Sequence, residues 1–318
     1  MQDWELLLDY SICVNEEIKT IKFLEEHSGE DPSVGNNKAI RLAAMRGYTR
    51  LANILLSDPR VDPSVDNDEP LVEACYGGHL GMVERLLQDR RVRPSSRNNR
   101  AMIQACMRGH LSIVELLLRH PDVNPGDQNN LALIEASRYG HIAVVELLIR
   151  DLRVCPEDCN SMAVITAAAY GHIAVVRLLS GIPYVDPSKH DNYAIIAASR
   201  AGHNGVVELL LQDRRVNPSA RDNRAIKCAA MKGHLEIVEL LLRDPRVDPS
   251  SNESEILALL CESKMKMNSE CILTLLLNDR RIDAEAQDCL ALRIAIINGY
   301  ESLAVLIKAR MLLLTTTR

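Results

Sequence analysis

Seven glycines recur at a fixed interval of 31 residues: Gly47, Gly78, Gly109, Gly140, Gly171, Gly202 and Gly233. A period of that length restricts a chain to stacked copies of one supersecondary unit. No single copy can bury its own apolar face, so neighbours must supply a continuous core. Other columns keep the same register. Ala43, Ala74, Ala105, Ala136, Ala167, Ala198 and Ala229 each stand four residues before a glycine, and six of the seven glycines are followed by His. Pro32, Pro63, Pro94, Pro125, Pro156, Pro187, Pro218 and Pro249 make a further column.

One unit runs from Asn223 to Ser250 and reads NRAIKCAAMKGHLEIVELLLRDPRVDPS. A column of Asn37, Asp68, Asn99, Asn130, Ser161, Asn192 and Asn223 suggests helix N-caps, because these short side chains accept from the first free amides. An Ala-rich helix should follow and stop at the glycine, which takes a left-handed conformation at little cost. Apolar residues at i, i+3, i+4 spacing predict a second helix, as over 237–243. An extended Val-Asp-Pro-Ser stretch then turns toward the next unit. Composition agrees with close helix packing. Hydrophobic residues make up 47% of the chain but aromatics only 3%, so the apolar content rests on Ala, Leu, Ile and Val rather than on rings.

Two helices and an extended finger, with Gly-His opening the second helix, resemble the ankyrin repeat. Ala229-Ala230-x-x-Gly233-His234 and Val206-Val207-Glu208-Leu209-Leu210 carry the resemblance, which covers most of residues 35–310. Two departures stand out. The usual period is about 33 residues, and the family's Thr-Pro-Leu-His start is replaced by runs such as Arg224-Ala-Ile-Lys227. The resemblance implies an all-α, ankyrin-type solenoid of stacked helix-turn-helix units with extended finger loops, about ten units with its caps. Residues 1–34 read as an N-terminal capping unit, with Trp4, Leu6, Leu7 and Leu8 in its first helix and Ile21, Phe23 and Leu24 in its second. Residues 35–250 hold seven regular repeats, and 251–285 an irregular one with extra residues around Lys264–Asn268. Residues 286–318 read as a C-terminal capping unit and tail.

Catalytic parts are missing from the sequence. There is no Gly-rich phosphate loop, nucleophile elbow or His-Glu-x-x-His run. The six Gly-His histidines recur with the scaffold and lack convergent partners, so they read as braces between neighbouring loops rather than as ligands or bases. Cys155 and Cys159 are the one close cysteine pair, and their spacing matches no common zinc knuckle. Glu84, Glu115, Glu146, Glu208 and Glu239 form a single-sign column suited to a solvated helix face. The expectation is a non-enzyme without cofactor or metal.

A net charge of −6 argues against a general nucleic-acid binder. No apolar run reaches the ~20 residues that span a bilayer. Nine cysteines without paired spacing fit reduced thiols in the cytoplasm or nucleus. Variable columns are where a repeat array is free to bind. The positions just before each glycine, and the one nine before it, hold Tyr76, Arg100, Arg108, Arg138, Tyr139, Tyr170, Tyr193, Arg200, Arg224 and Lys232. Tyr and Arg are favoured at interface cores, so these ten residues are the candidate protein-binding set. Tyr139 and Tyr170 should stand one repeat apart in an aromatic strip. Asp66, Asp68 and Glu69 form an acidic band, followed by Arg97, Arg100 and Arg108, and later by Arg221, Arg224 and Lys232. The function expected is a protein–protein interaction module, acting as adaptor, scaffold or inhibitor along the concave face and finger loops, and monomeric alone. The alternative implied by the resemblance is a substrate-receptor subunit of a ubiquitin-ligase-type complex.

Overall fold

A computed structural model describes residues 17–27, 29–156, 158–262 and 268–316, without the side chains of 158–160, 252–254, 286–288 and 313–316. Trp4, Leu6, Leu7, Leu8 and most of the insert at 264–268 lie outside the described residues. The chain forms two compact units that divide between Asp158 and Cys159.

In the first unit α1 (Glu17–Glu26) precedes four helix pairs: α2 (Val34–Arg46) with α3 (Thr49–Leu55), α4 (Val65–Gly77) with α5 (Leu80–Leu87), α6 (Ser96–Arg108) with α7 (Leu111–Leu118), and α8 (Asp127–Arg138) with α9 (Ile142–Leu148). The second unit holds five pairs: α10 (Asp158–Ala169) with α11 (Ile173–Ser180), α12 (Lys189–Ala201) with α13 (Asn204–Leu211), α14 (Ala220–Lys232) with α15 (Leu235–Arg243), α16 (Ser251–Glu262) with α17 (Ser269–Asn278), and α18 (Ala286–Ile297) with α19 (Glu301–Thr316). No strand occurs among the described residues. Within each unit first helices pack on first helices and second on second, as in α4 on α6 or α13 on α15. Each unit is therefore an all-α repeat solenoid. Ala43, Ala74 and Ala105 in the first unit, and Ala198 and Ala229 in the second, are wholly buried, which is what lets the first helices approach closely. The second helices bury every third or fourth residue, such as Ile113, Val114 and Leu117.

The column assigned above to helix caps does something else. Asn37, Asp68, Asn99, Asn130, Asn192 and Asn223 are each the third of three consecutive left-handed residues near the start of a first helix. In α6 these are Arg97, Asn98 and Asn99, at φ 49°, 56° and 61°. The third amide closes the turn on the carbonyl four residues back, as Asn99 N–H does to Ser95 at 3.0 Å. Where the residue just before a first helix is described, as at Ser33, Ser95 and Ser219, its side chain makes no cap hydrogen bond. The column's own side chains reach 25 residues ahead instead. Asn37 accepts from the Asp62 amide at 2.7 Å, Asp68 from Arg93 at 3.0 Å and Asn130 from Cys155 at 3.1 Å. In the second unit Ser161 accepts from Asp186 at 3.1 Å and Asn223 from Asp248 at 3.1 Å. A left-handed residue costs roughly 1–2 kcal/mol unless it is Gly, Asn or Asp, so the third position stays almost entirely Asn or Asp. This compact reversal leaves only short extended pieces such as Val61-Asp62 in the connections.

Candidate functional site

Two surfaces recur in each unit, and they use charge differently. The first follows the short helices, where Asp-x-Arg recurs at Asp58/Arg60, Asp89/Arg91, Asp151/Arg153, Asp213/Arg215, Asp244/Arg246 and Asp279/Arg281. Each arginine is held by its own aspartate two residues earlier, at 2.6 Å in Arg215–Asp213. The guanidinium also reaches back one repeat. Arg215 donates to the carbonyls of Val185 at 2.8 Å and Ser180 at 2.7 Å; Arg153 does the same to Val123 and Leu118, and Arg246 to Val216 and Leu211. Those second acceptors lie at helix C-termini, where carbonyls have no intrahelical partner. Hydrogen bonds from the arginine hold each of these aspartate carboxyls below the ordinary range, against the opposing effect of burial. Two repeats lack the clamp: His120-Pro121-Asp122 and Ile182-Pro183-Tyr184 stand where Asp-x-Arg is expected.

The Gly-His histidines are braces. Nε2 of His79, His110 and His141 lies 3.0, 3.1 and 2.9 Å from the carbonyls of Met45, Tyr76 and Met107. His203 and His234 repeat the contact on Ala169 and Arg200 at 3.1 and 3.2 Å. Each ring lies against the glycine of the repeat before: at Gly109 (φ 75°) an added Cβ would fall 2.5 Å from His141 Nδ1. In the irregular repeat Asn268, itself left-handed at φ 76°, donates through Nδ2 to the Gly233 carbonyl at 3.3 Å.

The second surface is the exposed face of the first helices, on or just past which the ten candidate binding residues stand, eight of them exposed and Arg138 and Tyr193 half-buried. In the first unit Tyr76, Arg100, Arg108 and Tyr139 are exposed, and the Arg108 guanidinium sits 4.8 Å above the Tyr76 ring. Arg138 is half-buried and bonded to the buried Glu135 at 3.1 Å. In the second unit Tyr170, Arg200, Arg224 and Lys232 are exposed and Tyr193 is half-buried. Tyr139 and Tyr170, expected as one strip, belong to different units.

The charge bands need correction. Asp68 is buried, accepting from the Arg93 amide and the Ser96 hydroxyl, so it contributes nothing to an acidic surface. Asp66 pairs with Arg41 at 3.3 Å and Glu69 with Arg97 at 2.6 Å. Arg221 pairs with Asp191 at 3.0 Å. Among the described residues, Arg100, Arg108, Arg200, Arg224 and Lys232 have no carboxylate within ion-pair distance. Lys227 stands in a column that holds Val or Ile in the five repeats before it; it is buried and held by Asp222 at 2.6 Å and Glu255 at 2.8 Å. Of the glutamate column, Glu84, Glu115 and Glu208 are exposed and Glu146 and Glu239 half-buried.

Cys155 is half-buried, and its backbone is tied to the Asn130 side chain; the Cys159 side chain lies outside the described residues. Among the described residues no group of three His, Cys, Asp or Glu could hold a metal ion, and no helix is long and apolar enough to cross a membrane. A cavity of about 520 Å³ lies in the first unit beside Leu24, His27, Ile54 and Arg60. Two of its polar groups are engaged, His27 with the Phe23 carbonyl and Arg60 with Asp58.

The stacked helix pairs agree with a family comparison. Residues 71–163 and 164–253, together more than half of the chain, match the model for ankyrin repeats in three copies. The chain belongs to the ankyrin-repeat family. No curated protein matches it. Ankyrin repeats bind other proteins, and in this ankyrin-repeat protein the clamp arginines and aspartates are engaged with one another and with the fold. The Asp-x-Arg column escaped the sequence reading, although its recurrence every 31 residues was a usable signal.

Proposed function

We propose that this ankyrin-repeat protein is a non-enzymatic adaptor, scaffold or inhibitor that holds a partner protein on the exposed face of its first helices. The observation that carries the reading is the contrast in pairing. Clamp arginines are neutralised two residues away, whereas Arg100, Arg108, Arg200, Arg224 and Lys232 are left with no carboxylate. Unpaired cations beside tyrosines are the composition of interface hot spots. The regular repeats at 35–250 would carry the contact, with 1–34 and 286–318 as its ends. Free thiols at Cys75, Cys106, Cys228 and Cys261 support action in the cytoplasm or nucleus.

The test is to purify a partner captured by the full chain and titrate it against Tyr76→Ala/Arg108→Ala and Tyr170→Ala/Arg200→Ala. At least one variant should weaken binding by about tenfold or more with its melting temperature unchanged. A partner bound equally by both variants would place the contact elsewhere.

A further inference from the structure

We infer that the first-helix face of the second unit is built to take an extended, acidic protein segment across the repeats of α12 and α14. The inference rests on the reading just given and adds the chemistry of the partner. Tyr193 organises the site. Arg200, seven residues along α12, donates to its hydroxyl at 3.1 Å and lies 5.9 Å from its ring. Arg221, from the following repeat, lies 6.0 Å from the same ring and is also tied to Asp191. Arg224 and Lys232 stand exposed on α14.

The acids of this region are already used. Asp191 neutralises Arg221, while Asp222 and Glu255 both bind the buried Lys227 and leave one negative charge over against the three cations Arg200, Arg224 and Lys232. Arg200, Arg224 and Lys232 therefore make a local positive excess on a chain whose net charge is −6. Complementary potential of this kind steers a negative partner and fixes its register. The cations come from two neighbouring repeats, so a ligand must bridge them, which suits an extended peptide rather than one point charge. Guanidiniums grip carboxylates in paired hydrogen bonds. Nucleic acid fits less well, because it binds such grooves by stacking bases on open aromatic faces. Tyr193 is half-buried and faced by its own arginines, and its role is to hold them.

The experiment is fluorescence anisotropy on the full chain with three labelled probes of equal length: an Asp/Glu peptide, a Lys counterpart and oligouridine. The expected result is binding of the acidic peptide alone, weakened about tenfold or more by Arg200→Glu/Arg224→Glu/Lys232→Glu. Arg119→Glu/Arg150→Glu, exposed at the ends of second helices in the first unit, should change it less than about threefold. Raising salt several-fold should weaken it as well. If the triple variant does not fold by circular dichroism, Lys232→Glu alone should still cost about threefold. No binding of the acidic peptide, equal loss in both charge-reversal variants, or tighter binding of oligouridine would overturn the inference. A captured partner lost on the face variants while the acidic peptide fails to bind would remove the acidic chemistry and leave the face standing.

Discussion

Arginine serves two opposite ends on the two surfaces of each repeat. Behind the short helices, Arg91, Arg153, Arg215, Arg246 and Arg281 each carry a carboxylate at i−2 and reach a carbonyl of the repeat before. On the first-helix face, Arg100, Arg108, Arg200 and Arg224 have no carboxylate in range. Arg100, Arg108 and Arg200 have no aspartate two residues earlier, and at Arg224 the aspartate in that place, Asp222, is taken by the buried Lys227. A neutralised, tethered guanidinium holds the stack together, while one without a counter-ion keeps its charge available to another molecule.

If the stack depends on its repeated close contacts, the largest effect should come from Gly109→Ala. The position is left-handed and an added Cβ would meet His141, so urea unfolding should show a loss of about 3–4 kcal/mol. A near-normal midpoint would mean that the Gly-His contact is dispensable.

The Lys227 triad sharpens the comparison, since it is a buried cation on the first-helix side. Removing both counter-charges with Asp222→Asn/Glu255→Gln should cost about 2–3 kcal/mol, because an unpaired ammonium is left in the core. Lys227→Ile, the residue type of the same column in neighbouring repeats, should be neutral or stabilising. Equal losses in both variants would show that the triad itself stabilises the fold.

The clamps also set an acid response. Their aspartates are held below the ordinary range by the arginines. A depressed folded pKa gives stability that is complete above the unfolded value of about 4 and is lost as pH falls through the folded values. Stability should therefore decline below about pH 4, and Arg215→Ala should decline less steeply than the wild type. Parallel curves would detach the clamp from the acid response.

The smallest effect expected is a gain. His120→Asp/Asp122→Arg would install a clamp where the first unit lacks one, with the new guanidinium in reach of the Val92 and Leu87 carbonyls. About 0.5–1 kcal/mol of added stability is expected from chemical unfolding, and a loss would show that local geometry forbids it there.

Much of this was legible in the sequence because the repeat shows every constraint several times. The glycine and alanine columns revealed the helix ends and the closest packing. The Asn/Asp column was equally visible, but its role was misread. A cap and a left-handed turn both want a short side chain with an acceptor oxygen, and they differ only in φ, which a sequence does not display. Asp-x-Arg went unremarked because its acceptors are backbone carbonyls of another repeat, which a sequence does not display. Asp68 looked like surface charge for a similar reason, since its partners Arg93 and Ser96 lie 25 and 28 residues on. On the candidate face, residue type was readable, and pairing emerged only from the structure.

The most direct measurement is a matched pair of unfolding curves for Arg215→Ala and Arg224→Ala in the second unit. The expected result is a loss of about 1–2 kcal/mol for the clamp arginine and a change within about 0.5 kcal/mol for the face arginine. Equal losses, or a larger loss at Arg224, would contradict the division between a surface that holds the repeats together and one left free to bind.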